Sequence, residues 1–273
     1  MRLIAALLIL TTTMQAQNSW FSANSLLVKN SIPPVLNLPL CGNSPCGGTP
    51  TTSTSALDIS GNNYTFTWNG TAAGGVASTY YSSTTGGQYA YAGFFNGTNN
   101  YLTRANTSAL KPSFPFTFCV AIYVTGAPAS GENIYLSDTQ TNYAGFGITF
   151  NTSGEAVATI GNNGGVASSN RFTVGTTTAI PYNQWDEFCA VFVSVTSTII
   201  YINNIRRTVS TSGTASSMVY TANASSIGEP GFNGGTYFSG LIGPVEIWNY
   251  AAPPLTYLDV PFLFQREDVR MGF

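Results

Sequence analysis

The segment Phe116-Thr-Phe-Cys-Val-Ala-Ile-Tyr-Val124 is apolar on both of its alternating faces. One face carries phenylalanine, valine or isoleucine at every second position, and the other carries Cys119, Ala121 and Tyr123. The segment Phe188-Cys-Ala-Val-Phe-Val193 follows the same pattern. Strands that are apolar on both faces are covered on both sides. These two segments therefore predict central strands of a layered β-sheet protein.

Short predicted strands continue outward from this pair, and no segment from Ala56 onward shows a helical period. Asn203-Asn204 predicts a hairpin turn, because asparagine tolerates the positive φ of a tight turn. The pattern predicts an all-β sandwich or jelly roll. The strongest predicted strands are 114–124, 134–137, 145–150, 157–160, 185–195, 198–202 and 245–248.

The two ends of the chain differ from this body. Met1-Arg2, an apolar run to Leu10 and Met14-Gln15-Ala16 predict a signal peptide over 1–16, with a short hydrophobic strand as the alternative. That run is too short to span a bilayer, which takes about 20 residues. We predict an N-terminal extension over 17–55, the jelly-roll domain over 56–255 and a tail over 256–273. The protein is expected to be secreted and extracellular, with no transmembrane segment beyond the signal.

Charge is scarce in this chain. Charged residues make up 7% of the sequence and the net charge is -2, against about 25% charged residues in an ordinary domain. A net charge of this size and sign gives no electrostatic attraction to nucleic acid or to anionic lipid. An uncharged polar surface is consistent with a glycosylated protein, with a crowded assembly or with an adhesive surface. Further copies of this chain, in a possible homo-oligomer, are therefore among the expected partners.

Sequons for N-glycosylation are frequent, but the abundance of serine and threonine yields about this number by chance. They are taken as possible glycosylation sites in a possible glycoprotein. The sites are Asn63, Asn69, Asn96, Asn106, Asn151 and Asn223.

Four cysteines in a secreted chain predict two disulfides. Cys41 and Cys46 are close enough in sequence to close a small loop, and Cys119 and Cys189 lie in the two most hydrophobic strands. The predicted pairs are Cys119–Cys189 and Cys41–Cys46. Two buried free thiols at 119 and 189 are the alternative.

Several segments resemble the laminin G-like and pentraxin-like domains of the concanavalin A-like lectin/glucanase superfamily. Phe116-Thr-Phe-Cys-Val-Ala and Trp185-Asp-Glu-Phe-Cys-Ala-Val are similar to the two pentraxin strands joined by a disulfide. Ile199-Ile-Tyr-Ile-Asn-Asn resembles the laminin G hairpin, and Phe238-Ser-Gly-Leu-Ile-Gly-Pro-Val-Glu-Ile-Trp-Asn249 resembles the family's C-terminal signature. Ala56-Leu-Asp-Ile-Ser-Gly-Asn-Asn63 is similar to an opening segment. The resemblance covers about 56–255 and implies an all-β, concanavalin A-like jelly-roll sandwich of two antiparallel sheets.

Catalytic constellations are scarce. The chain has no histidine, which removes the usual Ser-His-Asp and Cys-His centres. Glycosidases need two carboxylates flanking the scissile bond. Asp186 and Glu187 are adjacent and should point to opposite faces of a strand, and Glu246 stands alone in the sequence. We therefore expect no enzymatic activity and no certain cofactor.

Calcium is the one cofactor that the resemblance implies. Related domains bind it with loop carboxylates and amides, which are hard oxygen ligands. The matching positions here are Asp138, Asn142, Glu229 and Asn233. Only two of the four are charged, so ordinary polar loops are the alternative.

Tyrosines in loops rich in glycine, serine and threonine could stack on sugars or could cap the edges of the sandwich. The function expected is a non-enzymatic recognition module that binds carbohydrate or an extracellular protein through edge loops. The alternatives are a self-assembling component of an extracellular or particle surface and, more distantly, a carbohydrate-active enzyme. The candidate tyrosines are Tyr80, Tyr81, Tyr89, Tyr91 and Tyr143.

Overall fold

The computed structural model describes residues 33–42, 54–72, 80–84, 90–139, 142–231 and 236–252. Within these residues, seventeen strands and two 3-10 turns, at Ser108–Leu110 and Ser168–Asn170, form two sheets packed face to face. The strands are β1 Leu36–Leu38, β2 Ser55–Ala56, β3 Phe66–Asn69, β4 Tyr81–Ser83, β5 Tyr91–Asn96, β6 Tyr101–Arg104, β7 Phe116–Tyr123, β8 Glu132–Leu136, β9 Ala144–Phe150, β10 Ala156–Asn162, β11 Arg171–Thr176, β12 Trp185–Ser194, β13 Ser197–Ile202, β14 Ile205–Arg206, β15 Val209–Gly213, β16 Ser225–Ile227 and β17 Ser239–Trp248.

The front sheet has the order β14-β13-β12-β7-β17-β5-β4, with β1 also paired to β17. The back sheet has the order β15-β11-β10-β9-β8-β16-β6-β3-β2. Every pairing between these strands is antiparallel. The predicted all-β jelly-roll sandwich is thus confirmed.

Strand β7 lies at the centre of the front sheet, between β12 and β17. Its even-numbered side chains enter the core, where Phe116 stacks on Phe192 with ring centroids 4.4 Å apart. Phe118 lies 4.9 Å from Tyr135 of the back sheet. The predicted central position of β7 is therefore confirmed. Its odd-numbered residues lie on the outer face of the front sheet.

The described part of the predicted N-terminal extension contributes a strand to the front sheet. Leu36 pairs with Ile247 and Leu38 with Val245, and both leucines are fully buried. The carboxylate of Asp58 accepts the backbone N–H groups of Asn37 and Tyr64, which ties β1 to the loop after β2. The domain boundary at residue 56 stays a prediction, although β1 packs within the sandwich.

The predicted hairpin between β13 and β14 turns at Asn203 and Asn204, whose φ angles are 52 and 64 degrees. Both residues occupy the left-handed region that asparagine tolerates, so this prediction is confirmed. The side-chain oxygen of Asn203 also accepts the backbone N–H of Glu187.

Some predicted segments lie outside the described residues, namely the signal peptide over 1–16 and the tail over 256–273. In the part of the chain that the structure describes, no helix is long and apolar enough to cross a membrane.

Candidate functional site

The outer surface of the front sheet, here called the front face, carries a row of large side chains across four strands. Trp185 on β12 lies opposite Tyr123 on β7, which lies opposite Leu241 on β17, which lies opposite Phe94 on β5. All four are half-buried. Trp185 and Tyr123 have ring centroids 5.9 Å apart with planes inclined at 56 degrees. We call these four residues the aromatic row.

The indole of Trp185 reaches across β7 to β17. A Cβ atom added at Gly243 would lie 3.2 Å from Cζ3 of Trp185 and 3.3 Å from Cβ of Ala121. The small residues at 121 and 243 thus leave the space that the indole occupies. Its Nε1–H is buried without a hydrogen-bond partner, which leaves one donor on this face unused.

Two carboxylates lie beside the aromatic row. Glu187 is paired with Ala121 on β7, and Glu246 is paired with Cys119 on the same strand. They are therefore two strands apart and offset by two residues, or about 12 Å between Cα atoms by sheet spacing. Long side chains over the small residue Ala121 can reach toward each other across that gap.

The electrostatic effect of this arrangement falls on Glu187. Burial, and next the nearby charge of Glu246, raise the pKa of Glu187 from 4.5 to about 7. Asp186 points the other way, as predicted, is buried and accepts hydrogen bonds from Gln184 and Asn203. The sequence expectation that Glu246 stands alone was wrong, because the sheet brings it within electrostatic range of Glu187.

The predicted disulfide between Cys119 and Cys189 is confirmed and lies on the same face. The two cysteines are directly opposite each other on β7 and β12. Trp248 and Tyr201 are buried against them. Trp248 therefore belongs to this outer cluster and not to the core between the two sheets. The predicted pair Cys41–Cys46 includes Cys46, which lies outside the described residues.

The chain turns back over the front face after β17. The hydroxyl of Thr117, which is on the outer side of β7, donates to the carbonyl of Tyr250 and accepts the backbone N–H of Ala252. Tyr250 and Ala252 pack against the disulfide cluster. This segment covers the front face at the Thr117 end of β7. The aromatic row lies toward the other end of that strand, at Tyr123.

The predicted calcium residues are not brought together. The antiparallel register of β8 and β16 pairs Leu136 with Ser226, so Asp138 and Glu229 follow these strands at opposite ends. Asn142 is exposed, and Asn233 lies outside the described residues. Among the described residues, no group of three or more acidic, cysteine or histidine side chains could hold a metal ion.

Asp138 has a cationic partner from the chain itself. Its Oδ1 lies 3.1 Å from Nζ of Lys111, and both side chains are almost fully buried. The ammonium also donates to the carbonyl oxygens of Thr221 and Asn223, at 2.6 and 3.0 Å. Lysine thus occupies the position beside Asp138 that the calcium prediction reserved for a metal.

Most of the predicted sugar-stacking tyrosines have other roles. Tyr80 stacks on Trp68 with ring centroids 4.7 Å apart, and the hydroxyl of Tyr81 accepts from the indole of Trp68. Both are buried, so the idea that they stack on sugars was wrong. Tyr143 lies under the guanidinium of Arg171 at 4.8 Å. Tyr91 is half-buried in β5, and Tyr89 lies outside the described residues.

The sequons differ in how accessible their asparagines are. Asn63 and Asn106 are exposed, whereas the other four are half-buried. The side-chain nitrogen that would carry a glycan donates to Glu155 from Asn151 and to Thr103 from Asn69. Use of any of these sites stays a prediction.

The raised pKa values of Glu132, which is buried, and Glu187, which is half-buried, make the stability of the protein depend on pH. Burial raises the pKa of Glu132 from 4.5 to about 7, as it does for Glu187. The unfolded chain ionises first, so the free energy of unfolding should fall as pH rises from about 4.5 to about 7 and then level off. We expect Glu187→Gln and Glu132→Gln each to reduce this fall by on the order of 1–2 kcal/mol, after allowance for partial exposure. Urea denaturation between pH 4.5 and 8 measures the free energy of unfolding at each pH. Parallel plots of this free energy against pH for wild type and both variants would contradict the prediction.

Comparison with known proteins gives a family and a fold. A model for laminin G domains, described as concanavalin A-like lectin/glucanases superfamily, matches residues 96–255, more than half of the chain. A search of curated proteins found no match.

Solved structures with a similar fold include the binding domain of botulinum neurotoxin DC in complex with SialylT. It has a TM-score of 0.54 and 14% identity, over 88% of this chain and 52% of that chain. The same toxin domain in complex with rat synaptotagmin II has a TM-score of 0.54 and 14% identity, over 86% and 51%. A structure titled for the interaction of botulinum neurotoxin type C with two ganglioside molecules has a TM-score of 0.54 and 13% identity, over 86% and 51%. This chain spans about half the length of these solved chains.

Proposed function

We propose, from the premise that the chain belongs to the concanavalin A-like lectin/glucanase superfamily, that it is an extracellular module that binds carbohydrate on the front face. One observation carries the proposal: the indole of Trp185 lies across Gly243, in a row with Tyr123 and beside the carboxylates of Glu187 and Glu246. This location differs from the edge loops expected from the sequence.

The chemistry of the front face suits a sugar. The negative face of an aromatic ring attracts the partly positive C–H groups on one side of a pyranose. Carboxylates accept hydrogen bonds from hydroxyl groups more strongly than neutral groups do. Aromatic and apolar side chains with a few polar groups beside them are the usual lining of a ligand site.

The similar solved structures support binding rather than catalysis. Two of those named above are binding domains of botulinum neurotoxin DC, one in complex with SialylT and one with rat synaptotagmin II. The third concerns the interaction of botulinum neurotoxin type C with two ganglioside molecules. At 13–14% identity they show the fold of this chain alone. The front-face geometry carries the choice of carbohydrate over protein.

The variant Trp185→Ala should weaken glycan binding about tenfold, because one aromatic stacking surface is lost. The full chain is screened on an array of neutral and sialylated oligosaccharides, with and without calcium, and hits are titrated by calorimetry. Tyr143→Ala is the matched control, since it removes a tyrosine that the sequence placed in an edge loop, away from the front face.

The outcomes of this experiment separate the two locations. Equal binding by Trp185→Ala and loss by Tyr143→Ala would move the site to the edge loops. An array without any hit, in both buffers, would contradict carbohydrate binding altogether.

Glycoside hydrolysis is a second candidate, favoured by the pair Glu187 and Glu246. A carboxyl group whose pKa is about 7 suits a general acid, and hydrolysis needs a second carboxylate nearby. Release of reducing ends by wild type, lost in both Glu187→Gln and Glu246→Gln, would replace binding by hydrolysis as the function. We expect no release, because the front-face pair lacks the three-carboxylate run that glucanases of this fold supply from one strand.

A further inference from the structure

We infer that the saccharide bound on the front face carries a protonated amine, which contacts the indole of Trp185 and the carboxylate of Glu187. This inference rests on the proposed function and names the chemical class of its ligand. The chain has 11 aspartate and glutamate residues among 273. Two of them, Glu187 and Glu246, nevertheless lie on one part of the front face, on the two strands that flank β7.

The side chain of Glu187 has no partner of its own. Within the described part of the chain, no group donates a hydrogen bond to its carboxylate and no cation pairs with it. Its backbone N–H and C=O, by contrast, are both hydrogen-bonded to Asn203. Burial, and next the charge of Glu246, raise the pKa of Glu187 to about 7. A positive group beside this carboxylate would restore its charged form.

The described cations lie away from Glu187. Lys111 is buried in an ion pair, and Arg206 is on β14, with β13 between it and β12. Arg207 acts on Asp186, whose side chain points to the other face of β12. The two remaining arginines lie over tyrosine rings. The positive charge at this place is therefore left to the ligand. The described cations are Arg104, Lys111, Arg171, Arg206 and Arg207.

The indole of Trp185 attracts the same kind of group. It reaches from its pair with Tyr123 toward Gly243, and Glu187 follows two residues later on the same face of β12. The face of an aromatic ring is negative and binds an ammonium group, most strongly in tryptophan. Tyr123, whose ring is inclined at 56 degrees to the indole, adds a second such surface. An ammonium group on the outer side of the indole is thus within reach of the Glu187 carboxylate.

An amine suits this place better than the other common substituents of a sugar ring. A hydroxyl or an acetamide group can donate a hydrogen bond to Glu187, but neither offsets the charge of Glu246. The carboxylate of an acidic sugar would meet two charges of its own sign. A metal ion is a poor substitute, since no third acidic, cysteine or histidine side chain joins the pair among the described residues. An amine matches both the carboxylates and the aromatic rings.

Three tetrasaccharides with the same linkage, built from glucosamine, N-acetylglucosamine or glucose, test the inference by calorimetry on the full chain at pH 7. They differ only in the amine, acetamide or hydroxyl at one position of each ring. The glucosamine tetramer should bind about tenfold more tightly than the other two, because it adds an ion pair and a cation–π contact. This advantage should shrink as salt is added, since salt screens the charges.

Variants assign the preference to the carboxylate. Glu187→Gln keeps the size of the side chain without its charge, and should bring the three affinities to within about twofold of one another. Glu155→Gln is the matched control, because it removes a carboxylate just before β10 of the back sheet. This control should keep the preference of wild type.

The outcomes separate the inference from the proposed function. Equal affinities of wild type for the three tetramers, lost together in Trp185→Ala, would overturn the inference and leave the proposed function in place. So would a preference for glucosamine that Glu187→Gln retains while its circular dichroism spectrum matches that of wild type. No binding of these tetramers or of any saccharide on the array would contradict the proposed function itself.

Discussion

The variant Lys111→Met should lower the free energy of unfolding by about 3–5 kcal/mol. Nζ of Lys111 lies 3.1 Å from the carboxylate of Asp138, whose side chain is fully buried. Removing the ammonium leaves that carboxylate without its counter-charge in the interior. It also leaves the carbonyl oxygens of Thr221 and Asn223 without the donor they now share. A buried charge that loses its partner costs far more than the pair itself contributes.

Urea denaturation at pH 7 measures this loss, with the unfolding slope checked for two-state behaviour. The double variant Lys111→Met/Asp138→Asn is the matched control, because it removes the charge together with its partner. We expect it to be more stable than the single variant. A single variant within 1 kcal/mol of wild type would show that the pair is not needed to neutralise Asp138.

The second large effect concerns the disulfide of the front face. Replacing Cys119 and Cys189 together with alanine should lower the free energy of unfolding by roughly 4 kcal/mol, since the bond closes a loop with a sequence separation of 70. The side chains of Trp248 and Tyr201 also lose the sulfur atoms on which they pack. Both contributions act in the same direction.

Urea denaturation with and without a thiol reductant gives the measurement. The control is Cys41→Ala/Cys46→Ala, whose short predicted loop is worth about 2 kcal/mol in the same chain-entropy description. The larger loss should therefore belong to the 119–189 pair. Equal losses for the two double variants would contradict the loop-length explanation.

Much of the fold could be predicted from the sequence because the signals are local. The two-sided apolar pattern of residues 116–124 and 188–193 gave β7 and β12, and Asn203-Asn204 gave a turn whose φ angles are positive as required. The disulfide could be predicted because both cysteines lie in these two strands. In each case a short run of residues is enough to determine the local structure.

The candidate site could not be predicted because its residues meet only through strand order. Glu187 and Glu246 are brought near each other by β7, which lies between their strands and comes much earlier in the chain. Trp185 covers Gly243 for the same reason. The pairing of Asp138 with Lys111 depends on a lysine that shows no pattern in the sequence. A signal was available for Trp185, the first residue of β12, because it alternates with Asp186 and so shares the outer face of the strand with Glu187.

The position of β17 in the front sheet has a consequence for how the protein folds. Its first half pairs with β5, its second half with β1, and β7 runs along its other side. Leu36 and Ile247 must therefore meet across almost the full described chain. Contacts so distant in sequence make folding slow. During synthesis β5 and β7 are complete before β17, the strand that lies between them in the sheet. We therefore expect the front sheet to form only after residue 248 has left the ribosome.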